Sequence, residues 1–241
     1  MPDFAAQCEA DRRKLAAIRA ARETAAEQYF ARHAEEWDEL RALHTADGEV
    51  EAALMAALAA APLGAVLDIG TGTGRIAELI ADTAERVVAL DKNLEMLKVA
   101  RARLQHLPAS QVELVQGDFA ELPFAAASFD TVLLHQVLHF AQEPASALAE
   151  AARVTRAGGR IAIVDFASHS REELRTRHQH VRLGFSDRQM AELLRSAGFA
   201  PQAPQALVDG ELIVKIWIAE RRSTPARSVP SRSPSTTQAP L

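Results

Sequence analysis

A run of apolar residues ending in three closely spaced glycines constrains this chain more than anything else in it. Residues 65–75 read AVLDIGTGTGR. A short buried run, a tight glycine turn and the start of a helical pattern form the setting of a loop that holds a nucleotide-like ligand. Glycine accepts the positive φ such turns need and lets the backbone come close to a ligand. The spacing narrows the choice. A dinucleotide fingerprint needs G-x-G-x-x-G, whereas Gly70, Gly72 and Gly74 give G-x-G-x-G. A P-loop needs G-x-x-x-x-G-K followed by Ser or Thr, and no such run is present.

The same alternation continues downstream. Apolar runs recur at 86–91 (RVVALD), 112–118 (VELVQGD), 129–135 (FDTVLLH) and 159–166 (GRIAIVDF), with a longer one at 211–220 (ELIVKIWIAE). Helical patterns lie between them at 74–83, 93–106 and 143–156. Buried strands alternating with helices predict a parallel sheet covered on both faces, with right-handed crossovers. Upstream, residues 5–61 are rich in Ala, Glu, Arg and Leu and read as helix throughout. One break is expected near Thr45–Gly48, with Asp47 as N-cap of the second helix. Three segments follow: an N-terminal helical segment (1–61), an α/β domain (62–220) and a Ser-, Pro-, Thr- and Arg-rich tail (221–241) expected to be disordered.

Composition removes several classes. Apolar residues make up 48% of 241, enough for a sizeable core. The net charge is −5, and the tail holds four arginines and no acid, so the rest is more acidic still. That argues against nucleic acid as partner. Cys8 is the single cysteine, which excludes an intrachain disulfide and a multi-cysteine metal site. No apolar run approaches the roughly 20 residues of a membrane span, and the first residues lack a signal-peptide pattern. A cytoplasmic location without membrane attachment is expected.

Acidic residues end the next two strands: Asp91 in Leu90-Asp91-Lys92, and Asp118 in Gly117-Asp118-Phe119. Ligands of parallel α/β sheets bind at such strand ends. Together with Asp68–Gly74, the run from Leu122 to Asp130 and the Gly158-Gly159 loop, these residues resemble the motifs of class I S-adenosylmethionine-dependent methyltransferases. The resemblance spans about 63–220. It implies a Rossmann-like doubly wound sheet, mostly parallel with an antiparallel last strand, plus N-terminal helices. It further implies S-adenosylmethionine as cofactor. Asp68, Gly70, Thr71, Gly72 and Gly74 would lie along its amino-acid part, and Asp91 would accept the ribose hydroxyls. Asp118 would receive the adenine amino group, with Lys92, Met96, Gly117, Phe119 and His135 completing the site. One departure is Ala157, where typical members have proline.

A narrower likeness is carried by Tyr29-Phe30, Trp37–Arg41, His135–His139, Asp165–His169, His178 with His180, and Leu183–Asp187. It is similar to the methyltransferase half of bacterial fusions with ArsR-type regulators, without the DNA-binding half. Methyl transfer to a small-molecule acceptor is the activity implied. A sensor of S-adenosylmethionine or its demethylated product, acting through a partner, is the alternative. His135 and His169, at or beyond the ends of strands four and five, are candidate general bases, because imidazole titrates near neutrality. Asp165 is a rival. His135 and His139 have i, i+4 metal spacing but no third ligand, so no metal is expected. Arsenic methylation is disfavoured with one thiol. Tyr29 and Trp37 could bring an N-terminal helix over the site as a lid, and the same helix could serve a homodimer.

Overall fold

The computed structural model describes residues 2–42, 47–208 and 211–222, without the side chains of residues 2–5 and Ala42. The N-terminal segment forms α1 (Pro2–His33), α2 (Trp37–Ala42) and α3 (Asp47–Leu58). The helix expected to run unbroken to Thr45 therefore breaks ten residues earlier. The His33 ring bonds the Tyr29 carbonyl at 2.8 Å, and Glu36 N–H donates to His33 O at 3.2 Å. Trp37 then folds back edge-on against Phe30, centroids 5.2 Å apart. Asp47 is already the first residue of α3. Residues 43–46, where the other break was expected, and the tail beyond residue 222 lie outside the described residues.

The α/β part runs β1 (Ala65–Ile69), α4 (Arg75–Ile80), β2 (Arg86–Asp91), α5 (Leu94–Leu104), β3 (Val112–Gln116), β4 (Phe129–His135), a 3₁₀ turn (Leu138–Phe140), α6 (Pro144–Val154) and β5 (Thr155–Phe166). It continues with α7 (Glu173–Arg177), α8 (Asp187–Ser196), β6 (Phe199–Pro201), β7 (Gln205–Leu207) and β8 (Val214–Arg221). The sheet order is β3-β2-β1-β4-β5-β8-β6, with β7 also on β8. The first five are mutually parallel and β8 is antiparallel to β5. The doubly wound, mostly parallel sheet is as expected. β6 and β7 were not, because three-residue edge strands carry almost no periodicity and β6 contains Pro201. β8 reaches Arg221, one residue into the supposed tail.

Side-chain alternation along the strands builds two cores. Ala65, Leu67 and Ile69 of β1 face α6 and α8 through Leu148, Ala151, Met190 and Leu194. Val66, with Val87 and Ala89 of β2, faces Leu54, Ile76, Ile80 and Ala100 of the helices α3, α4 and α5. α8 is held by a capping box in which Ser186 and Gln189 exchange bonds. Packing on both faces fixes the strands, so their carboxyl ends form a rigid rim. Among the described residues, no helix is long and apolar enough to cross a membrane.

Candidate functional site

The rim opens into a cavity of about 800 Å³, within the usual range for small-molecule sites. Its floor is the glycine loop. Gly70 and Thr71 both donate their N–H to Leu90 O, at 2.8 and 2.9 Å, tying β1's turn to β2. Gly72 has φ +57° and lies beneath Trp37, 3.8 Å from where a Cβ would sit to Nε1. Gly74, at φ +80°, is the residue before α4. A Cβ there would meet Leu104 and Ala100 at 3.0 and 3.1 Å. Gly74 does not line the cavity; it lets α4 pack against α5.

Asp91 ends β2 with its carboxylate aimed by two backbone donors, Gly72 N–H to Oδ2 and Asn93 N–H to Oδ1, both 2.8 Å. Burial pushes its pKa up. Asp68 is more extreme. It is fully buried, and burial with Asp91's nearby charge raises its pKa to about 6, the neighbouring Thr71 hydroxyl offsetting only part of this. Both ring nitrogens of His135 are buried without a hydrogen-bond partner among the described residues. Buried polar groups left like this at a cavity wall are suited to a ligand that supplies the missing partners. Asp118 Oδ1 accepts Ala120 N–H at 2.8 Å and Oδ2 lies 3.2 Å from Lys92 Nζ. Lys92 also pairs with Glu23 and Glu27 of α1, and these carboxylates outweigh burial and raise its pKa.

α1 and α2 roof the cavity. Arg22, Ala26, Phe30, Trp37 and Arg41 line it from above. The roof is tied down at several points besides Lys92. Arg19 pairs with Glu143 at 2.5 Å, and Asn93 Nδ2 donates to Glu27 O at 2.9 Å. Asp38 accepts from Arg103 at 2.5 Å and from the Thr73 hydroxyl at 2.7 Å. Tyr29 Oη meets His178 Nδ1 at 2.8 Å. Tyr29 is buried outside the cavity and acts as an anchor; Phe30, Trp37, Phe119 and Phe140 are among the aromatics that line it.

The catalytic candidates are not brought together. His135 lines the cavity, but burial, aided by Arg41 and Arg75, lowers its pKa to about 3. It stays neutral at working pH and is a feeble base. Asp165 is not at the cavity. Fully buried, it accepts Nδ1 and N–H of His139 at 2.8 and 3.1 Å and Phe166 N–H at 2.7 Å. His169 also lies away from the cavity, its Nδ1 accepting Arg171 N–H at 3.2 Å. Of the residues expected to hold a cofactor, Asp68, Gly70, Thr71, Gly72, Asp91, Lys92, Met96, Gly117, Asp118, Phe119 and His135 all line one cavity. Arg41 and His180 line it too and were not among the expected site residues, although both stand in motifs the sequence singles out.

Residues 67–163 match the family described as a methyltransferase domain. A demethylmenaquinone methyltransferase of Renibacterium salmoninarum is 41% identical over 111 residues, 46% of this chain and 45% of that protein. A malonyl-[acyl-carrier protein] O-methyltransferase of Herminiimonas arsenicoxydans is 34% identical over 178 residues, 70% of this chain and 64% of that one. The chain spans about half the length of the first curated relatives it matches. Among solved structures, the Burkholderia thailandensis 1,6-didemethyltoxoflavin-N1-methyltransferase, bound to its substrate and S-adenosylhomocysteine, superposes with a TM-score of 0.66. It is 24% identical and the match covers 82% of this chain and 87% of that one. At that identity the likeness concerns the fold.

Proposed function

We propose that this chain, whose residues 67–163 match a methyltransferase domain, is a class I S-adenosylmethionine-dependent methyltransferase that transfers the cofactor's methyl group to a small-molecule acceptor. One observation carries this reading. The glycine loop, Asp68 near the end of β1 and Asp91 at the end of β2 open on one roofed cavity large enough for a cofactor and a second small molecule.

Bound S-adenosylmethionine supplies a methyl carbon on a sulfonium, already a good leaving group. What this chain must do is bind, align and exclude water. Asp91, held by Gly72 and Asn93, presents two oxygens to vicinal ribose hydroxyls. Gly117, Asp118 and Phe119 take the adenine, with Met96 beside it. Asp68 faces the amino-acid end, where an ammonium group answers a buried carboxylate. Arg41 lines the cavity, is near enough to Asp68 to act on its charge and is paired with Asp47; it would lend positive charge to the cofactor's carboxylate. His135 is a neutral hydrogen-bonding group. The roof of α1 and α2 keeps water from the reacting atoms.

The substrates of the named relatives are not carried over, because the match covers part of each. The comparisons bring no support to the sensor alternative. A cytoplasmic location and pairing of two copies through α1, whose Leu15 and Ile18 are exposed, remain part of the proposal. Incubation with S-adenosylmethionine labelled in the methyl group and a fractionated small-molecule extract tests the enzyme reading. The label is expected in an organic product, with S-adenosylhomocysteine formed in equal amount. Binding without label transfer in any fraction would favour the sensor.

A further inference from the structure

The acceptor side of the cavity has a composition of its own. Phe30, Trp37 and Phe140 form one aromatic wall, with Phe30 5.2 Å from Trp37 and 4.9 Å from Phe140. His180 continues it, edge-on to Phe140 at 5.2 Å. All four line the cavity. Of the glutamates that line the cavity, Glu143 is ion-paired with Arg19, and Glu23 and Glu27 with Lys92. Such a wall offers stacking surface beside carboxylates already paired with cations, which suits a flat, uncharged aromatic molecule.

His180 is the titratable group of that wall, and it is held firmly. Its ring packs on His139 at 4.2 Å and on Phe166 at 5.8 Å. His139 is in turn fixed by the fully buried Asp165, through Nδ1 and through its own backbone N–H. Among the described residues, two of the three non-glycine residues with positive φ flank the cavity histidines: Gln136 follows His135 and Gln179 precedes His180. Strained backbone at a cavity wall is typical of functional sites. Of the other candidate bases, Asp165 and His169 do not reach the cavity, and His135 is scarcely basic.

We infer that the acceptor is a flat aromatic compound bearing a weakly acidic hydroxyl, stacked on Phe30, Trp37 and Phe140, and that His180 is the base that takes its proton. The inference rests on the methyltransferase reading above. The hydroxyl O–H bond breaks, with the proton passing to the His180 imidazole and the electron pair staying on oxygen. That oxygen forms the new bond to the methyl carbon, while the carbon–sulfur bond breaks and its electron pair leaves with sulfur as a neutral thioether. Charge balances, because the cation begins on sulfur and ends on the imidazole. A base in this position contributes about 10²–10⁴ in rate.

The test uses 4-nitrophenol, a flat phenol whose ionised form is yellow, added to the full chain saturated with S-adenosylhomocysteine. The pH is set so that the free probe is mostly protonated. The bound probe is expected to show the phenolate band, and Trp37 fluorescence to report its binding. His180→Gln and His180→Phe, the second keeping the ring that packs on His139, should bind it within about threefold but leave it protonated, the ionised fraction falling about tenfold. Phe140→Ala should weaken binding by about tenfold, the scale of one lost aromatic contact. Probe that ionises equally in both His180 variants, or that fails to bind the loaded protein, would overturn the inference. Calorimetry of S-adenosylhomocysteine on the same samples keeps the two readings apart, because loss of that binding counts against the methyltransferase reading instead.

Discussion

Individual residues in the glycine loop do different work, which substitutions separate. A Cβ on Gly72 would meet only the Trp37 indole, at an ordinary contact distance, so Gly72→Ala strains mainly the backbone, at about 1–2 kcal/mol for a left-handed alanine. Its methyl would stand in the cavity wall, so affinity should fall more than stability. Gly74→Ala should do the reverse, because its Cβ would press on Leu104 and Ala100 within the α4–α5 contact. Thermal melts and S-adenosylhomocysteine titrations of both variants measure the contrast. Asp68 supplies a pH dependence. Its folded pKa, about 6, lies above the ordinary 3.8. The folded state therefore holds this proton more tightly, and stability is lost as pH rises between those values. A cationic ligand favours the ionised carboxylate. Affinity for S-adenosylmethionine should thus rise as pH rises through about 6, with a proton released on binding below it. Asp68→Asn should flatten that dependence, as calorimetry across pH would show.

At the scale of elements, the roof distinguishes this site from a bare Rossmann crevice. Tyr29 is the anchor that joins α1 to the loop before α8 through His178. Tyr29→Ala removes a buried ring and that bond, and α1 should open more readily. Stopped-flow release of S-adenosylhomocysteine should quicken by about 5–30-fold, the equivalent of 1–2 kcal/mol. An unchanged release rate would mean that α1 is no lid. Element legibility varied for physical reasons. The strands β1, β2 and β4 and the second half of β5 announce themselves because both faces are largely buried and their sequences are mostly apolar. The break at residues 34–36 does not, because it depends on Trp37 packing on Phe30 and not on any glycine or proline. α7 leaves little local trace either, being a single short turn whose buried residue is Leu174.

For the whole molecule, the sheet gathers residues from five separate stretches onto one rim, which is why residues picked out along the sequence come to line one cavity. Asp91 ends β2, Asp68 is the last residue but one of β1 and Asp118 follows β3 by two residues, and strand ends converge by topology alone. The acceptor side could not be read in the same way. Phe30, Phe140 and His180 come from a helix, a 3₁₀ turn and a loop, and only tertiary packing makes them neighbours. The same packing turned Asp165 and His169, plausible by type and position, away from the cavity. The central claim, that this rim holds S-adenosylmethionine through the acid ending β2, is tested most directly by calorimetric titration of S-adenosylhomocysteine into the unaltered chain and Asp91→Ala. Glu113→Ala, on an exposed stretch of β3, serves as control. Removal of a charged acceptor should cost about 1.5–3 kcal/mol. The account predicts a Kd raised by about 10–100-fold in Asp91→Ala and unchanged in Glu113→Ala. Equal affinity in all three, or no binding to the unaltered chain, would contradict it.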